Sequence, residues 1–226
     1  MLYAIGFALA WSIFGSGVHA EQHLTFATPA AAQVHVRASN GFVSVTTGRS
    51  GAGVSVTVTK RADTFDEVRA LGVGTAQRGS DISLRAVYPK GCGSSCGGEI
   101  SFTIVVPPGS VLDVQTSNGH VTATGISADA RLASSNGAVS ATYAAFNGVK
   151  RVSLETSNGQ LSLALPASAK IGRLHVSTSV GRISSDWPVR VDRSDFVGGS
   201  VNQTLDPGAA TVWLDTANGS ISLKKI

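Results

Sequence analysis

Apolar and polar residues alternate along most of this chain, and in six places the alternation passes through the same short corner. In residues 112–124, LDVQTSNGHVTAT, Val114 lies four positions before Asn118, Val121 three after it and Ala123 five after it. A Thr stands two before the Asn and a Ser immediately before it. Variants are VHVRASNGFVSV around Asn40, RLASSNGAVSA around Asn136, SLETSNGQLSL around Asn158, HVSTSVGRISS around Val180 and WLDTANGSISL around Asn218. The origin of the motif moves from 118 to 136, then to 158, then to 180. Alternation with period two predicts a strand on each side of the corner. A recurrence near twenty residues predicts stacked repeats.

Asn-Gly between alternating strands is also a hairpin signal, and patterning alone does not exclude hairpins. Two features favour a β-solenoid. About twenty residues at roughly 3.3 Å each make one rung of two or three short strands with corners. The corner residues also repeat, and like amides stacked at about 4.8 Å can hydrogen-bond along a ladder. The ladder would be Asn40, Asn118, Asn136, Asn158 and Asn218. Two columns would supply the core: Val36, Val114, Leu132, Leu154, Val176 and Leu214 before the corner, and Val43, Val121, Val139, Leu161, Ile183 and Ile221 after it. They are small and branched, as a narrow interior requires.

Outside the repeats, VSVTVT within residues 51–60 and the stretch 81–88 read as strands. Residues 64–71 break the pattern. Thr64 with Glu67 forms a potential capping box, Phe65, Val68 and Leu71 recur at helical spacing, and Gly72 follows. One helix of about two turns is expected there, covering an apolar edge or end. Pro107-Pro108-Gly109 ends a strand and turns the chain into the array, which runs to Ser185. Trp187-Pro188 breaks it, residues 190–208 look irregular, and the last repeat closes the chain.

Composition bears on compartment. Residues 1–18 are apolar and uncharged, and Val18-His19-Ala20 presents small residues where a signal peptidase reads, so residues 1–20 are expected to be a signal peptide and 21–226 a single domain. No Lys or Arg precedes the apolar run, and an uncleaved segment would act as an anchor. In an oxidising compartment Cys92 and Cys96, the only cysteines, most simply pair, with free thiols as the alternative. The net charge of +4 comes from scattered bases without interleaved aromatics, which argues against nucleic acid.

The repeats, with FTIVVPPGSVLDVQTSNGHVTAT, resemble the bacterial putative-adhesin β-strand-repeat family, exported domains of unknown function. The resemblance covers roughly residues 33–226. It implies an all-β fold, a right-handed parallel β-helix with rungs of about twenty residues, exported to the periplasm or cell surface and with no catalytic residues. The Cys loop and the Val180 corner depart from that pattern.

Parallel β-helices also carry polysaccharide lyases and hydrolases, so an enzyme is the alternative. Glycoside chemistry needs two carboxylates about 5 Å apart for retention, or roughly 6.5–9.5 Å for inversion. Three before the corner, the outward column holds Glu155 and Asp215, which chain order separates by at least one rung. Five before it, Asp113 and Arg131 read as a surface ion pair, and His35 and His175 as solvated histidines. Four after the corner a hydroxyl recurs on every rung: Ser44, Thr122, Ser140, Ser162, Ser184 and Ser222. Such residues suit any solvent-facing strand, and they also form a flat face that could bind an envelope glycan or surface protein. Ice binding would favour a second regular Thr column, and the next outward position loses it at Ala164, Asp186 and Lys224. The expectation is a non-catalytic, adhesin-like or scaffold module without metal or cofactor.

Overall fold

The computed structural model describes residues 9–13, 17–28, 30–89, 98–193, 197–207 and 209–226. Cys92 and Cys96 fall outside these residues, as does much of the expected signal segment. The described chain is almost entirely β, in two ten-stranded sheets that share one apolar core.

From edge to edge the first sheet is β1 (Leu9–Ile13), β2 (Val18–Phe26), β5 (Val54–Ala62), β8 (Glu99–Val106), β4 (Val43–Thr47), β10 (Val121–Ile126), β12 (Val139–Tyr143), β14 (Leu161–Leu165), β20 (Ile221–Lys225) and β16 (Ile183–Ser185). The second is β17 (Asp192–Arg193), β18 (Gly199–Thr204), β15 (Ile171–Val180), β19 (Ala210–Asn218), β13 (Arg151–Asn158), β11 (Ala130–Asn136), β9 (Val111–Asn118), β3 (Gln33–Arg37), β7 (Asp81–Val87) and β6 (Gly72–Arg78). Each repeat places its first strand in the second sheet and its second strand in the first, so the Asn-Gly corner joins the two sheets instead of closing a hairpin. Like strands then pair in parallel across repeats. Beyond this central stack the pairing is antiparallel, at β2–β5–β8 and β6–β7 on one side and β15–β18–β17 on the other.

Among the six repeats, the spatial order departs from chain order at one place. The last repeat, β19–β20, lies between β13–β14 and β15–β16. Two segments without a clear alternating pattern also became strands. β6 pairs along its whole length with β7, and β18 forms within the interval that looks irregular in sequence. In both, Gly and polar residues weaken the periodic signal while backbone pairing with a neighbour fixes the conformation.

Both core columns line the interior, with Ile183 on the short edge strand β16 only partly covered. The corner explains the Gly that follows each Asn. A Cβ on Gly137 would lie 2.2 Å from the carbonyl oxygen of Gly119, and one on Gly219 would lie 1.8 Å from that of Gly159. Gly181, after Val180, meets Gly219 in the same way. Rungs therefore approach through bare backbone. The hydroxyl two positions before the corner donates to the same carbonyls: Ser134 to Gly119, Thr156 to Gly137, Thr216 to Gly159 and Thr178 to Gly219.

Helix α1 (Phe65–Ala70) is the one helix among the described residues. Thr64 accepts from the Glu67 backbone amide while Glu67 accepts from that of Thr64, a complete capping box. Val68 packs with Val18, Ala20 and Ala62 in a small cluster beside the main core. β2 thus begins ahead of Glu21, the expected first residue of a processed chain; six of its nine register pairs with β5 start at Glu21 or later.

Two outcomes follow from this packing. Gly137→Ala should lower stability by about 3 kcal/mol, the upper part of the usual overpacking range, because the colliding atom is a neighbour's backbone oxygen that cannot swing aside; urea unfolding measures it. Tyr143 is fully buried in edge-to-face contact with Phe146, and its hydroxyl finds no hydrogen-bond partner among the described residues. Tyr143→Phe should therefore raise stability by about 1 kcal/mol, seen as a higher thermal midpoint.

Candidate functional surfaces

The outward side chains of the first sheet include a continuous hydroxyl row. The register sets Ser44 beside Thr122, Thr122 beside Ser140, Ser140 beside Ser162, Ser162 beside Ser222 and Ser222 beside Ser184. All six sequence-predicted positions are thus brought together. The row continues where the repeat motif does not reach: Ser44 neighbours Thr103 on β8, which faces Thr57 on β5. Eight hydroxyls on eight strands span about 34 Å at the usual strand spacing. Ser140 Oγ donates to Thr122 Oγ1 at 3.2 Å, and the row ends at His23, whose Nδ1 lies 3.1 Å from Thr57 Oγ1. Thr57 and Thr103 were legible only as outward positions in VSVTVT and SFTIVV, with nothing in sequence to align them to the row.

The corner carries a second row. Asn118 Nδ2 donates to Asn40 Oδ1, Asn136 to Asn118, Asn158 to Asn136 and Asn218 to Asn158, each at 2.9 Å. At its outer end Tyr88 Oη both accepts from the Asn40 amide and donates to the Asn40 carbonyl. The inner amides of Asn118, Asn136 and Asn158 each both donate and accept within the row, which makes it a structural clamp.

The outer face of the second sheet revises several sequence expectations. Glu155 and Asp215 are not separated by a rung. They are register partners on the adjacent strands β13 and β19, because the last repeat is inserted beside the Asn158 repeat. Asp113 neighbours Arg131 in register, but its ion pair is with Arg37, and Arg131 instead reaches Glu155 at 3.5 Å. The histidines have partners as well. His35 lies 3.4 Å from Asp113 and 3.6 Å from Asp81, and the His175 ring stacks on Trp213 with centroids 3.7 Å apart and planes 19° from parallel. Chain order hid the Glu155–Asp215 pair because the last repeat is inserted out of turn, whereas the Arg37–Asp113, Arg131–Glu155 and His175–Trp213 contacts join repeats that are consecutive in the chain.

Two shallow concavities lie among the described residues. One of about 480 Å³ is lined by Arg37, Ser39, Arg85 and Tyr88, at the β7 side of the second sheet. Another, of about 430 Å³, lies between Arg182 and Arg193 beyond the corner at Val180. Among the described residues no group of three or more His, Cys, Asp or Glu side chains could hold a metal ion, and no helix is long and apolar enough to cross a membrane.

Burial pushes the Asp113 carboxyl up, but the hydrogen bond and charge of Arg37, followed by those of His35, outweigh it and hold the group below its ordinary value. A carboxyl depressed on folding stabilises the fold above its unfolded value, near pH 4, and that contribution is lost as pH falls through the folded value. Arg37→Ala should therefore move the Asp113 titration to higher pH and bring the acid loss of stability in earlier. Carboxyl carbon chemical shifts followed against pH check this directly.

No family model matches the chain, and no curated protein matches it in sequence. Among solved structures, one described as a putative cell adhesion protein from Clostridium sporogenes superposes with a TM-score of 0.59 at 12% identity, over 91% of this chain and 99% of the other. Another, described as a putative adhesin from Bacteroides fragilis, gives a TM-score of 0.37 at 12% identity, over 91% of this chain and 97% of the other. At such identity the first likeness shows a shared fold, and the second is too distant to support more.

Proposed function

We propose that this chain is an exported, non-catalytic cell-envelope protein, an adhesin-like or scaffold module that works through the flat outer faces of its sheets. The observation that carries the reading is the unbroken row of eight outward hydroxyls across the first sheet. Evenly spaced hydroxyls on a flat, extended surface suit weak multivalent contact with a polymer better than enclosure of a small molecule. An envelope glycan or a surface protein is the partner class. The central stack of paired rungs is read as a short parallel β-solenoid of the bacterial putative-adhesin type, and the apolar, uncharged residues 1–18 are read as the export signal.

A polysaccharide lyase or hydrolase is the second reading, favoured by one specific observation: Glu155 and Asp215 are cross-strand neighbours. The arrangement around them supports binding more than catalysis. Both oxygens of Glu155 already have donors, Ser153 at 2.7 Å and Arg131 at 3.5 Å, and the pair lies on an open sheet face with no walls to exclude water.

The test is a triple variant, Ser140→Lys, Ser162→Lys and Ser184→Lys, checked for unchanged circular dichroism. Its binding to isolated envelope should fall about tenfold or more relative to the parent. Equal binding by the two proteins removes the hydroxyl face as the contact surface, and release of reducing sugar from envelope polysaccharide by the parent establishes the enzymatic reading.

A further inference from the structure

The hydroxyl row is not the only outward feature built across several rungs. On the second sheet, β11, β13 and β19 lie side by side and bring Arg131, Ser153 and Trp213 into one line across the strands, with Glu155 and Asp215 one outward position further along. We propose that this patch is a glycan-binding platform on which a neutral sugar ring stacks against Trp213 and is oriented by Glu155, Asp215 and Arg131.

The aromatic geometry comes first. The 3.7 Å between the Trp213 and His175 ring centroids is shorter than the roughly 4.8 Å between their strands. The two rings therefore stand up from the sheet face to face. His175 covers one face of the indole, yet Trp213 remains 41% exposed. What is exposed is consequently the opposite face and the rim, on the side of β13. There the neighbour is Ser153, short and nearly buried, which leaves a floor and not a wall. A rigid indole held on one face by a stacked ring has little freedom left to lose when a second ring stacks on the other.

The polar groups are placed to finish the contact. Along a strand, alternate residues lie about 6.6 Å apart, close to the width of one pyranose ring. A sugar on the Trp213 face thus has its hydroxyls over the Asp215 and Glu155 carboxylates, which are register partners. Arg131 sits on the far side, ion-paired to Glu155. The patch offers both acceptors and a donor, which matches a polyol, since each hydroxyl both gives and takes a hydrogen bond. A quaternary or primary ammonium would also favour an indole next to carboxylates. The Arg131 guanidinium at the border opposes a second cation, so the neutral sugar is the occupant the charge arrangement selects.

The inference rests on the surface-binding reading above but uses the opposite sheet, so the two can fail separately. The experiment titrates the full chain with soluble oligomers of glucose and, separately, of N-acetylglucosamine, following indole fluorescence and heat of binding. Saturable binding should be seen with at least one series. Trp213→Ala should weaken it by about tenfold or more, as expected for a central aromatic contact, Trp213→Tyr should retain much of it, and Asp215→Asn should weaken it with an unchanged far-ultraviolet spectrum. Absence of binding to both series overturns the platform, as does equal binding by Trp213→Ala, and tighter binding of tetramethylammonium than of the sugars assigns the indole to a cation instead. Envelope binding that survives these losses, but falls with the hydroxyl-row lysines, would leave the first-sheet reading standing on its own.

Discussion

The structure depends on how closely one corner backbone can approach the next. At the corners of Gly137, Gly159 and Gly219, the glycine faces the carbonyl oxygen of the glycine one rung away, at a distance where no side chain fits. The neighbouring Thr or Ser hydroxyl donates to that same oxygen, and the Asn amides bond to each other just outside it. Three interactions of different kinds thus agree on one rung spacing. Once the corner spacing is set, the flanking strands fall into register, and with them the apolar columns inside and the polar columns outside. A slip of a single residue would turn every core Val and Leu towards solvent.

This constraint also decides what was readable. The repeated corner, the two interior columns and the capped helix are local patterns of residue type, and each is visible in the chain without knowing its neighbours. The hydroxyl positions Ser44 to Ser222 are visible for the same reason, because they keep a fixed offset from the corner. What sequence does not carry is the order in which repeats stack. Nothing distinguishes a Leu154 neighbour at Leu214 from one at Val176, since all three fill the same column with similar volume. Reading the stack in chain order separated Glu155 from Asp215, because it placed the Val180 repeat between them. β6 and β18 were missed for a related reason: their residues are mostly Gly and polar, and their strand character comes from the partner strand.

The two outer faces differ in chemistry although the same repeats build them. The first sheet keeps small hydroxyls at one offset and so presents a uniform strip. The second sheet varies at the matching positions, with His35, Asp113, Arg131, Ser153, Trp213 and His175 following one another across the strands. Uniformity suits contact that can slide or repeat along a polymer, whereas variation fixes one place and one orientation. The shared scaffold permits both because outward side chains bear little of the packing, so they can diverge without disturbing the corners.

The placement of the last repeat bears on how the fold is reached. A chain made from its N-terminus presents residues 171–185 before residues 210–225, yet the later segment belongs between them and residues 151–165. The β15–β16 segment is thus made before the strands that separate it from β13–β14, and its apolar columns match theirs. A stack of those two formed before the later strands arrived would have to open again to admit them. The β19–β20 segment is therefore a wedge and not an end cap. Removing residues 210–225 would not give a shorter stack; it would leave either a gap between two parts or a closure of β15–β16 onto β13–β14.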